Sequence, residues 1–174
     1  MAPAIDEIRN ERTGQRMRFL RSEDTDGADL RMESWIPASE DSEPLHVHPR
    51  QESGMTVLSG VLHFEIAGER RRVEPGESVE IGPGVPHRFW NEGPDEVNAL
   101  ADFRPALGIE DFFRTYFAMA NDGRLDDHGR PSILQAAVLG PRFEDEIRLV
   151  SPPWWIQKVT YAVLAPLARM RGYR

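Results

Sequence analysis

Between Pro49 and Pro94 the chain never runs long enough without a glycine or proline to complete three turns of helix. The punctuation falls at Gly60, Gly68, Pro75-Gly76, Gly82-Pro83-Gly84 and Gly93-Pro94. Between these breaks lie short alternating runs. Leu62, Phe64 and Ile66 alternate with Val61, His63 and Glu65, the period of a half-buried strand. Arg70–Val73, Ser78–Ile81, Val85–Trp90 and Val97–Phe103 read the same way, and Pro75-Gly76 supplies the Pro-then-Gly order of a tight turn. Upstream, Met17–Ser22 and Leu30–Ile36 are expected as strands joined by an acidic turn at 23–27, after a polar lead-in over residues 1–15. Pro37–Pro44 reads as a polar loop and Leu45–His48 as extended chain, since Pro49 biases His48 away from helix. Short strands at this spacing predict an all-β antiparallel sandwich or barrel.

The pattern changes at Pro105. Ile109, Phe112, Phe113, Tyr116, Phe117 and Ala120 recur at helical spacing. Residues 133–139 and 143–150 read as short helices, and Trp154–Met170 as a longer one interrupted at Pro166. The expected organisation is a β domain over 1–107 and a helical extension over 108–174. That extension would pack on the β domain or on a second copy in a homodimer.

The chain of 174 residues has a net charge of −8, which argues against a nucleic-acid surface. It contains no cysteine, so disulfides, thiolate metal sites and cysteine nucleophiles are excluded. The N-terminus lacks an apolar core like that of a signal peptide, and no window reads as a spanning helix. A soluble cytoplasmic protein is expected.

Candidate chemistry centres on three histidines. His46 and His48 are one residue apart in extended chain, so both rings share a face. His87 lies in a later strand. Imidazole is the commonest neutral ligand for first-row divalent metals, and two rings from one strand plus one from a neighbour make three corners of a site. An isolated His-x-His pair would be weak evidence.

The surrounding spacing is more specific. His46-Val47-His48 is followed by Glu52 and Gly60, while Gly76 precedes Gly82-Pro83-Gly84, His87 and Asn91 at fixed intervals. Both segments resemble the two conserved motifs of the cupin superfamily, with Gly82 at a position usually held by proline. The resemblance covers roughly residues 28–104. It implies a small jelly-roll barrel holding one divalent metal ion on His46, His48 and His87, with Fe(II) favoured and Zn, Mn or Ni as alternatives.

The fourth ligand is the point of departure. In the resembled motif a glutamate stands there, and Glu52 is the nearest one. Counting back from Gly60 instead places Ser53 at that position, and strand parity agrees, since 53, 55 and 57 share a face that 52 does not. Glu52 could ligate if the strand bulges; otherwise the site has three histidines. The resemblance then implies a dioxygenase-type oxidoreductase acting on a small, partly apolar substrate. The alternatives are a metal-dependent isomerase or cyclase, and a non-enzymatic small-molecule-binding protein. Gln51, Ser53, Met55, Val57, Phe64 and Phe89 are the candidate pocket residues. Arg18 or Arg31 could enter the interior to meet an acidic group, whereas His63 and His128 read as solvated. The last segment, 151–174, has four basic residues and no acidic one beside Trp154, Trp155, Val159 and Val163. It reads as a packed helix, with contact to an anionic membrane through 154–171 as the other possibility.

Overall fold

The computed structural model describes residues 6–20, 28–39 and 42–173. In chain order its elements are β1 (Glu7–Arg9), β2 (Arg16–Leu20), β3 (Leu30–Ile36), β4 (His46–Val47), β5 (Glu52–Ser59), β6 (Leu62–Ile66) and β7 (Glu69–Val73). There follow β8 (Ser78–Ile81), β9 (His87–Trp90), β10 (Val97–Arg104), α1 (Ile109–Asn121), α2 (Ile133–Arg142), β11 (Arg148–Leu149) and α3 (Trp154–Met170). The expected acidic turn at 23–27 lies outside the described residues.

Two sheets form, one in the order β1-β2-β3-β10-β5-β8 and the other β11-β4-β9-β6-β7, with every paired strand antiparallel. Alternation sets which side each residue takes. Val97, Ala99, Ala101 and Phe103 of β10 are buried, and so are Leu30, Met32, Ser34 and Ile36 of β3. Ile36, Val57, Val79 and Val97 from the first sheet meet Leu62, Phe64 and Val73 from the second in one apolar cluster, so the sheets pack face to face. A second cluster joins Met17, Phe19, Leu30, Met32, Ala101 and Phe103 to Ile109 and Phe117 of α1. The first helix of the extension is thereby part of the core. Gly60 marks the turn into β6 at φ +79°, where a Cβ would stand 2.8 Å from Val97 Cγ2, so a glycine is required.

Two expectations are corrected. Part of the polar lead-in is a strand, because β1 pairs with β2 in the register Ile8↔Met17. Residues 143–150 are not a helix: β11 pairs with β4 through Arg148↔Val47 and Leu149↔His46. The run Phe143, Ile147, Val150 has helical spacing, but long-range pairing to the histidine strand overrides it.

The last two helices pack on each other. Their approach is close at Gly140 of α2, where an added Cβ would lie 2.4 Å from Tyr161 Cε2. An alanine inside a helix normally stabilises by about 0.5–1 kcal/mol over glycine. Here Gly140→Ala is expected to do the opposite, costing about 1–3 kcal/mol because the Tyr161 ring has to move. Urea titration checks this, and a raised midpoint would contradict the packing described. No helix among the described residues is long and apolar enough to cross a membrane.

Candidate metal centre

His46 lies in β4 and stands directly opposite His87 of β9 in the antiparallel ladder, which brings their rings to 4.4 Å between centroids. His48 follows two residues later on the same face, 5.1 Å from each of the other rings. All three side chains are buried, at 4–7% exposure. One ring nitrogen from each lies within 4.8 Å of the other two. The cluster sits where the two apolar clusters meet. His48 packs edge-on against Phe103, at 5.2 Å, and His87 stands opposite Ile66.

Hydrogen bonds fix the tautomers. Nδ1 of His46 donates to the carbonyl of Pro44 (2.9 Å), Nδ1 of His48 to that of Glu146 (2.6 Å), and Nδ1 of His87 to that of Val85 (2.8 Å). A carbonyl only accepts, so each Nδ1 carries the proton and each Nε2 keeps its lone pair. A backbone carbonyl on the far nitrogen is the arrangement that orients a metal-binding imidazole and raises its basicity as a ligand. The residues therefore fit a divalent ion held by three Nε2 atoms.

Burial also holds the rings neutral, as ligation requires. Desolvation chiefly, helped by His87 and His48 and opposed by the Pro44 carbonyl, lowers the His46 pKa to about 3. Desolvation again leads for His48, opposed by the Glu146 carbonyl, and lowers it to about 4. His87 is lowered too, by burial against the effect of the Val85 carbonyl.

Among the described residues, no carboxylate stands at the fourth position. Glu52 is exposed on the outer side of β5, 3.7 Å from Arg104, and lines a shallow outer hollow with Arg31 and Asp102. No bulge turns it inward: Ser53 pairs with Phe103 and Glu52 with Arg104 in unbroken register. Ser53 is buried, and its Oγ has no partner. Gln51 is fully buried as well, with Nε2 donating to the carbonyls of Pro105 and Ala106 (2.9 Å each) and Oε1 without a partner. Both amide hydrogens are thus committed to acceptors, so the amide cannot flip, and Oε1 is fixed as an open acceptor.

The other expected pocket residues are placed as follows. Val57 and Phe64 are fully buried in the cluster between the sheets, Phe89 packs beside them 5.8 Å from Phe64, and Met55 touches both clusters. Arg18 and Arg31 do not enter the interior. Arg18 bridges Glu7 and Glu33 over the Trp35 ring, and Arg31 pairs with Asp102, all on the outer face. His63 stacks on Trp90 and lies 3.3 Å from Glu92, away from the histidine cluster. Asn91, which ends the second motif, has a structural role: it is buried, donates to the carbonyls of Ile36 and Asp95, and accepts from Gly93 N–H.

Two groups carried no sequence signal. Glu146 accepts from His48 through its backbone carbonyl and from Gly108 N–H through Oε1 (2.9 Å). Glu43, three residues before His46, is half-buried, and burial pushes its pKa up to about 8. Tyr116 is pushed up to about 12, by burial first and by Glu43 second.

These shifts give the metal-free protein a stability maximum near pH 6.5. Below that value the unfolded chain takes up protons on His46 and His48 that the folded chain refuses, so stability falls as pH drops toward 4. Above about 4.5 the unfolded Glu43 releases a proton that the folded chain keeps, so stability also declines as pH rises toward 8. Two histidines outweigh one carboxyl between about pH 4.5 and 6.5, so stability still falls with acid there, and below 4.5 the histidines act without that opposition. Thermal melts across pH check this, and Glu43→Gln should flatten the alkaline limb and steepen the acid one between about pH 4.5 and 6.5.

Comparison with known proteins agrees with this fold. Residues 34–101 match the cupin domain family. The structure is similar to that of KdgF from Halomonas sp., with a TM-score of 0.53 at 17% identity, over 63% of this chain and 94% of that one. It is also similar to an RmlC-like cupin from Shewanella frigidimarina, with a TM-score of 0.51 at 20% identity, over 64% and 92%. A protein named as an oxidoreductase from Arthrobotrys oligospora is 26% identical over 121 residues, 65% of this chain and 46% of that protein. The chain spans about half the length of the curated relatives it matches. By its two histidine motifs and its family match, the segment 34–101 of this chain is a cupin domain, and the fold around it is that of cupin structures.

Proposed function

We propose that the protein is a metal-dependent enzyme acting on a small, partly apolar organic molecule, as a dioxygenase-type oxidoreductase with Fe(II) on His46, His48 and His87. In this reading the two sheets close as a jelly-roll barrel around the site. The observation that carries it is the trio of buried, neutral imidazoles, each with its Nδ1–H committed to a backbone carbonyl. The name of the Arthrobotrys oligospora relative supports the oxidoreductase class. A bound ferrous ion would supply Lewis acidity and one-electron redox chemistry at this point.

The chain's own residues set the terms for the substrate. The ligand set is neutral, because the cluster contains no carboxylate among the described residues. An anionic or readily deprotonated substrate is therefore favoured over a cationic one. Gln51 Oε1 and Ser53 Oγ offer buried polar contacts on the inner side of β5, and Met55 and Phe89 offer apolar ones. Phe113 of α1 packs on Phe103, which in turn packs on His48, so the helix excludes water from that side.

Protein purified without chelator should contain close to one equivalent of metal. The ferrous form should consume dioxygen with a member of a panel of thiols, diketones and phenolic acids. Absence of stoichiometric metal after reconstitution with Fe(II), Zn, Mn and Ni would refute the metal site. A loaded protein that isomerises or merely binds panel members without oxygen uptake would instead be an isomerase, a cyclase or a binding protein.

A further inference from the structure

Helix α3 is turned the unexpected way round. Its buried side, packed on α2, consists of Gln157, Tyr161, Ala165 and Ala168. Its solvent side carries Trp155, Val159, Val163, Leu167 and Met170, exposed by 68, 60, 69, 37 and 80%. The first four recur every fourth residue and Met170 follows three later, so they form one stripe along the helix. Stripes of this size on a soluble domain mark a surface that meets something else.

Charge indicates what it meets. Lys158 and Arg169 fall on one border of the stripe, and Arg171 follows at the C-terminal end. Segment 151–174 has no acidic residue, although the whole chain is at −8. Lys158 is 3.7 Å from Glu144 of the preceding loop. Two copies pairing antiparallel through this stripe about Val163 would set Lys158 of one against Ala168–Arg169 of the other, with no carboxylate in either stripe to separate them. A lipid surface has no such conflict. Aliphatic side chains and Trp155 enter the boundary between headgroups and acyl chains, while lysine and arginine stems lie along it and reach the phosphates. A 17-residue helix, about 25 Å long, suits a position flat in that plane.

We propose that α3 docks this protein on anionic lipid bilayers. The test mixes the full chain with vesicles of phosphatidylcholine alone or with phosphatidylglycerol added, and measures cosedimentation and tryptophan emission. Partition onto the anionic vesicles should be at least tenfold stronger, should weaken with added salt, and should shift the emission to the blue. Trp155→Glu with Val163→Glu should abolish binding. Lys158→Glu with Arg169→Glu should reduce it severalfold. All four positions are exposed, so circular dichroism and metal content should stay unchanged. Equal binding to both vesicle types would overturn the anionic requirement. Failure to bind either would overturn the proposal outright. In that case, a solution mass of twice the chain that Val163→Glu halves would assign the stripe to contact between copies. Capture by an acidic protein that the same variant abolishes would assign it to a protein partner.

Discussion

Replacing His87 by alanine should lower metal affinity at least a hundredfold. Apparent binding energies of four-ligand zinc sites, about 10–16 kcal/mol, put the share of one ligand near 3 kcal/mol. Among the described residues the site has no carboxylate to compensate, since Glu52 lies outside it, and so two imidazoles would remain. The variant should also behave distinctively without metal. His87 is one of the groups that lower the His46 and His48 pKa values, after desolvation. Its removal should let both values rise back toward 6.5 and so make the acid limb of the stability curve shallower. Chelator competition measures the first effect and pH-dependent melting the second. His63→Ala, on the outer face, is the control and should change neither. If His87→Ala retains a full equivalent of metal at wild-type affinity, the three-histidine site is wrong.

The second large effect should come from a residue that touches no metal ligand with its side chain. The Glu146 carbonyl orients His48, and the Glu146 carboxylate accepts from Gly108 at the start of α1. That helix start has no side-chain cap of its own, so the carboxylate satisfies an orphan N–H and sits at the positive end of the helix dipole. Glu146→Ala leaves a part-buried N–H unpaired, at about 1 kcal/mol or more, and frees the loop that presents the carbonyl. Metal affinity should fall about 10–100-fold, the usual consequence of losing an outer-shell support. Glu146→Gln keeps an acceptor for Gly108 and should recover most of both losses. If alanine and glutamine lower metal affinity equally, a positioning role through Gly108 is refuted. Chelator titration separates this from a general loss of stability, because the metal readout is taken well below the melting temperature.

The difference between these two residues shows what could be read from the sequence. His46, His48 and His87 were legible because the face of a side chain in a strand follows from parity, and parity is local. The same arithmetic, counted from Gly60, set Glu52 outside and Ser53 inside, as the register of β5 on β10 has it. Glu146 was not legible. Its role depends on a two-residue strand pairing with β4 across about a hundred positions, and two residues have no period to detect. The spacing of Phe143, Ile147 and Val150 even pointed to a helix. In α3 the pattern correctly gave a helix but not its orientation, because Gln157 satisfies itself on the carbonyls of Leu149 and Pro152 and can therefore be buried.

The pairing of β11 with β4 also bears on self-association. Without β11 the strand carrying His46 would be the margin of its sheet, and exposed strand margins recruit strands from other molecules. β11 occupies that margin with only two residues, and the segment after it runs Ser151-Pro152-Pro153. Proline has no N–H to offer an incoming strand. The extension thus caps the histidine strand with an edge too short, and too poor in donors, to template aggregation.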